Sequence, residues 1–113
     1  MARTALTPQT PTRTGTTVTF AAANADGHYF ANDGRSFLRI KNTDGSSKTV
    51  TVAFGGAKDG VSLATLGKTI TVGATTGDVT TAVWPKDVYD QADGTVYVDY
   101  SATTGVTIAV VTV

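Results

Sequence analysis

Histidine is the side chain most often used to move protons near neutral pH, and this chain has one, His28, followed by Tyr29 and Phe30. Nucleophilic catalysis would need a hydroxyl or thiol beside it and a carboxylate to orient it. The chain contains no Cys and no Glu. Ser36, Ser46, Ser47, Ser62 and Ser101 supply hydroxyls, but none stands in a G-x-S-x-G elbow. These residue types favour a packed or surface histidine and argue against an enzyme.

Two further groups invite a chemical reading. Asp87, Asp90 and Asp93 recur at every third position of KDVYDQADG and offer the oxygens that a hard cation such as calcium accepts. The EF-hand spacing is not met, and no Glu exists to close such a loop, so a solvated turn is the expectation. Trp84-Pro85 and Tyr89, with Tyr97 further on, could form a stacking platform for sugar; Trp84 suits equally well the capping of a sandwich end. Gly55-Gly56 reads as a plain turn, and no phosphate-binding G-x-x-x-x-G-K-[ST] exists. No cofactor or metal is expected.

The elements that position these residues are strands. Five of the nine acidic residues are Asp followed by Gly, at 26–27, 33–34, 44–45, 59–60 and 93–94. Gly takes positive φ freely and Asp bonds its own backbone, so these pairs suit tight turns, and the carboxylates are spent on turning the chain. Between them the period is two. Thr17–Phe20 places Val18 and Phe20 on one face. Leu38 and Ile40 point inward with Arg39 and Lys41 outward, and Phe37 lies on a second buried surface. Val50, Val52 and Phe54 form the core face of 49–54, and Thr69–Val72 repeats the pattern. Val79, Thr81 and Val83 form the next strand, and 95–100 follows the Asp93-Gly94 turn. The last stretch, 106–113, is apolar on both sides and asks for a central strand or a covered edge. No segment has a helical period. Thr and Val dominate, and β-branched side chains favour the pleated sheet. The expected fold is all-β, an antiparallel sandwich or jelly roll of about seven or eight strands.

Residues 1–15 stand apart, with Pro8, Pro11, Arg3 and Arg13, no acid, and Leu6 as the one sizeable apolar side chain after Met1. They are expected to be a flexible arm joined to a single domain at 16–113, either a frayed terminus or an arm that orders only against a partner. Nine basic and nine acidic residues give zero formal charge, which does not fit a nucleic-acid binder. No apolar run suggests a signal peptide or a membrane span, so a cytosolic product is expected.

The order of segments carries a resemblance. Gly34-Arg35-Ser36-Phe37-Leu38-Arg39-Ile40-Lys41-Asn42 is followed by a small polar turn and Thr49-Val50-Thr51-Val52. A T-I-T-V strand, the Pro85 segment, Tyr89-Asp90, Asp93-Gly94-Thr95-Val96 through Tyr100-Ser101, and a terminal T-I-A-V-V-T-V then complete it. The stretch from about 30 to 113 resembles small structural proteins of tailed bacteriophages, although it has Ala82-Val83-Trp84 where Gly-Pro-Phe is common. The resemblance implies a virion component on the capsid surface, made in the bacterial cytoplasm. It implies a decoration (cement) protein bound to the major capsid protein, or a head–tail connector or tail part, with self-association as a trimer or other homo-oligomer. Arg3, Leu6, Pro8, Pro11, Arg13, Trp84 and Tyr89 are the partner-binding candidates.

Overall fold

The computed structural model describes residues 3–55, 67–91 and 93–112, together with the backbone of 57–58 and 61–62. Gly56, the Asp59-Gly60 pair, the Ser62 side chain and Val113 lie outside the described residues. The chain is an all-β sandwich. In order, the strands are β1 (Thr4–Ala5), β2 (Ala21–Ala22), β3 (His28–Ala31), β4 (Ser36–Asn42), β5 (Lys48–Ala53), β6 (Ala57–Lys58), β7 (Val61–Ser62), β8 (Gly67–Val72) and β9 (Gly77–Thr80). A single helical turn, α1 (Lys86–Tyr89), precedes β10 (Thr95–Tyr100) and β11 (Val106–Thr112).

One sheet runs β1-β3-β10-β5-β8 and the other β2-β11-β4-β9, while β6 and β7 pair with each other. All pairings are antiparallel except β1 with β3. The core is the alternation of the sequence made solid. Phe30, Val50, Val52, Val72, Val96 and Val98 from one sheet meet Leu38, Ile40, Val106, Ile108 and Val110 from the other, all essentially without solvent exposure. As expected, β11 is central: β4 pairs with its full length, and β2 takes part of its other edge.

The turns confirm the Asp-Gly reading in part. Gly27, Gly34 and Gly94 adopt φ of +85°, +81° and +80°. Asp33 accepts from the Arg35 N–H and the Ser36 hydroxyl, and Asp93 from the Thr95 hydroxyl and N–H. Gly45 is not among the glycines with positive φ. There Asp44 instead holds Lys48 in an ion pair at 2.8 Å.

Several segments depart from the expectation. His28–Ala31, not read as a strand, forms β3, and Lys86–Tyr89 makes a helical turn where none was expected. Thr17–Phe20 is not a strand; pairing begins one residue later, at β2. Phe20 lies over the outward cations of β4, with Lys41 Nζ 4.5 Å and the Arg39 guanidinium 5.4 Å from its ring centre. A flat aromatic face accepts such cations, so Phe20 covers the sheet from outside. The strand expected through Val79 and Thr81 ends at Thr80, and Val83 is 45% exposed. Finally, residues 3–9 do not stand away from the domain. Thr4 and Ala5 pair with His28 and Tyr29, and Leu6, 9% exposed, enters the core. Gln9 then bonds the backbone of β11, its N–H donating to Val110 and its carbonyl accepting from Thr112. One apolar side chain at the right position, and two unfilled sheet edges, are enough to hold a segment that its composition alone would leave loose.

Candidate functional site

The N-terminal segment closes one flank of the sandwich by touching both sheets, β3 of one and β11 of the other. Arg3 anchors it. Its guanidinium donates to both carboxylate oxygens of Asp99 at 2.7 and 3.2 Å, also reaches the Val98 carbonyl, and lies 4.2 Å above the Tyr97 ring. Gly27 makes room for this: a Cβ there would stand 2.4 Å from the guanidinium and 2.7 Å from Asp99. Arg3 and Leu6, both partner-binding candidates, are therefore engaged within the domain.

Beyond Gln9 the chain leaves the surface as a loop of residues 10–18 with a fixed base. The Gln9 side-chain amide pairs with the backbone of Thr19 through two bonds of 2.8 Å, donating to its carbonyl and accepting from its N–H. At the tip, Gly15 N–H donates to Thr12 O, and Thr12 N–H to the Thr16 hydroxyl. Pro11 and Arg13 are exposed on this loop, and Pro8 is half-buried at its foot. The clasping role of Gln9 was not read from the sequence, because a side chain substituting for a strand leaves no periodic trace.

The aromatic group gathers at another place. Trp84 meets Tyr89 edge to face at 4.8 Å, and Tyr89 lies 5.5 Å from Phe54. Asn32, buried and not singled out by the sequence, holds this corner. Its amide donates to the Trp84 carbonyl and to Asp90 Oδ1, while Lys86 bridges Asp90 Oδ2 and the Asn32 carbonyl. Gly55 fits against the Asp90 backbone, where a Cβ would stand 1.9 Å from the carbonyl oxygen. Beside this corner opens a groove of about 420 Å³, lined mainly by Ile70, Val83, Trp84, Pro85, Val88 and Tyr89. Val83 and Val88 are the large apolar side chains that stay exposed among the described residues. The Trp84 indole N–H is buried and meets no acceptor there.

The rings offered as a sugar platform are occupied by the protein itself. Trp84 is only 6% exposed, Tyr89 is wedged between Trp84 and Phe54, and one face of Tyr97 carries Arg3. His28 is buried. Its Nδ1 is 2.6 Å from the Tyr100 hydroxyl, the two rings meet edge to face, and burial holds the imidazole below its ordinary pKa. Burial, with Asp99 next to it, pushes the Tyr100 phenol up. Of the three aspartates, Asp90 serves Asn32 and Lys86, and Asp93 caps its turn. No group of three metal-ligating side chains occurs among the described residues. The described helix is too short to cross a membrane. No protein-family model, no curated protein and no solved structure matches the chain.

Proposed function

We propose that this chain is a structural protein of a bacteriophage virion. In this reading it is a capsid decoration (cement) protein that docks on the major capsid protein and bridges capsomers. The observation that carries the proposal is the clasped loop 10–18: both ends are tied through Gln9 and Thr19, and Pro11 and Arg13 are presented to solvent. A loop whose base is already ordered loses less entropy on docking than a free arm does. Arg13 is its one charged side chain and suits an acidic groove on a capsid surface. Repetition over a lattice then raises avidity without further contacts. The residues around His28 and Asp90 serve the domain's own packing, which accords with binding and not turnover.

The test is the copy number of the protein in purified virions, by quantitative mass spectrometry against the major capsid protein. A ratio near one, or one per few capsid subunits, is expected. A ratio of about one in a hundred would move the protein to the neck or tail, and absence from particles would sink the structural reading. In vitro, Arg13→Glu should abolish binding to undecorated capsids while leaving the thermal unfolding curve in place.

A further inference from the structure

The flank opposite the N-terminal segment ends in two edges that pair with nothing among the described residues, β8 of one sheet and β9 of the other. They are not equivalent. β9 has four residues and carries Asp78, paired with Arg39, whereas β8 has six residues, no proline and one charge, Lys68. Natural edges are kept from pairing by shortness, charge, proline or bulges, and β8 shows little of this protection.

The outward-facing groups of β8 follow from its register. Thr49 uses its backbone on the side away from β8: the Ser101 N–H donates to the Thr49 carbonyl, and the Thr49 N–H donates to the Ser101 hydroxyl. Alternation then turns the backbone of Val50 and Val52 toward Ile70 and Lys68, their partners in β8. Thr69 and Thr71 therefore direct their N–H and C=O groups to the open side. Ile70, between them, lines the apolar groove with Val83 and Val88.

We propose that a second copy of this chain occupies this edge, the two β8 strands pairing antiparallel about a two-fold axis centred on Ile70. In that register Thr69 faces Thr71 of the other copy and Thr71 faces Thr69, so all four outward groups of each strand find partners. The strand is thus self-complementary as it stands. Ile70 faces its own equivalent, and the two grooves meet across the axis, bringing the exposed Val83 and Val88 toward cover. Each Lys68 faces Val72, which leaves the two lysines four residues apart along the strands, roughly 13 Å at the rise of a β-strand. At physiological salt their repulsion is largely screened over that distance. The pairing would join the two five-stranded sheets into one and leave both 10–18 loops free on the outer flanks. It rests on the edge geometry and not on the virion reading.

The test uses the purified full chain. Sedimentation at high micromolar concentration should give twice the monomer mass. Thr71→Pro removes an outward N–H while sparing the β5 ladder, so it should keep the thermal transition and return the protein to monomer. Because the chain has no cysteine, crosslinking is a clean second readout. A non-hydrogen-bonded pair brings Cα atoms to about 4.5 Å, within disulfide range. Ile70→Cys should therefore crosslink on mild oxidation far faster than Thr71→Cys, whose equivalent lies out of register. A monomer at every concentration overturns the proposal, including one that takes up a foreign peptide along β8. So does a dimer that survives Thr71→Pro and shows no preferential crosslink at position 70.

Discussion

Arg3 and Asp99 are 96 residues apart in sequence and meet in a two-pronged ion pair, with N–O distances of 2.7 and 3.2 Å. The pair fastens the first described residue of the chain to β10, a strand inside the five-stranded sheet. Its side chains keep 25% and 45% of their surface in water, so screening limits its strength. Arg3→Ala should lower stability by at most about 1 kcal/mol in urea unfolding. A double-mutant cycle with Asp99→Ala should give a coupling that shrinks as salt is raised.

Leu6 holds the same segment by a different force. It is 9% exposed and packs into the common core, so Leu6→Ala loses transfer free energy and leaves a gap between the sheets. The expected cost is about 2–3 kcal/mol, at the low end for buried leucine because the site is marginal to the core. A urea midpoint no lower than that of Arg3→Ala would contradict the packing described for residues 3–9.

Gly27 should tolerate no side chain. It combines φ of +85° with the close approach of Arg3 and Asp99, so Gly27→Ala faces both backbone strain and displacement of the ion pair. We expect a loss of at least about 1 kcal/mol. The double variant with Arg3→Ala should lose less than the sum of the two, because the clash is then partly relieved.

His28 gives the stability a specific pH dependence. Burial lowers its folded pKa, so below the unfolded value of about 6.5 the unfolded chain binds a proton more readily than the folded one. The stability tied to a neutral imidazole is therefore complete above about pH 6.5 and declines as pH falls from there through the folded pKa. Asp33, Asp44 and Asp93 also have lowered pKa values, held down chiefly by the Arg35 N–H, the Lys48 ammonium and the Thr95 hydroxyl respectively. Their contribution is lost only at lower pH, below about 4. Urea midpoints at about pH 7.5 and about pH 5 should thus differ in the wild type and differ less in His28→Gln.

Trp84 separates packing from hydrogen bonding. Its N–H has no acceptor among the described residues, so Trp84→Phe removes a buried unpaired donor along with part of the ring. Trp84→Phe should cost less than about 1.5 kcal/mol, whereas Trp84→Ala, which empties the corner beside Tyr89, should cost about 3–5 kcal/mol. Comparable losses in the two variants would mean that the indole N–H does have a partner.

Most of the sandwich was legible because period two is a direct consequence of strand geometry. Leu38 and Ile40, and Val50 and Val52, face the core as their spacing predicts, whereas Phe54, expected beside the latter two, lies past the end of β5 and is half-buried. The double-sided run in β11 likewise announced a strand covered on both faces. The elements that escaped are short: β3 has four residues and was read only as the surroundings of His28. β1 and β2 have two residues each, and Gln9 and Thr19 pair through a side chain. Val18 and Phe20 show the opposite error: they have the alternation of a strand without the partner, and Phe20 found cations instead.

The sequence by itself determined that this chain makes sheets, where several of its turns lie, and that many of its carboxylates serve those turns. These are local properties, set by side-chain branching, by glycine's access to positive φ, and by hydrogen bonds spanning two or three residues. The tertiary structure alone decided that Leu6 and Arg3 would be spent inside the domain, that Asn32 would organise the Trp84 corner, and that β8 would be left with an open edge. Each of these depends on which distant segment reaches a given sheet edge first, and backbone donors and acceptors are the same at every residue but proline. That choice is made by the packing of the whole chain, not by any stretch of it.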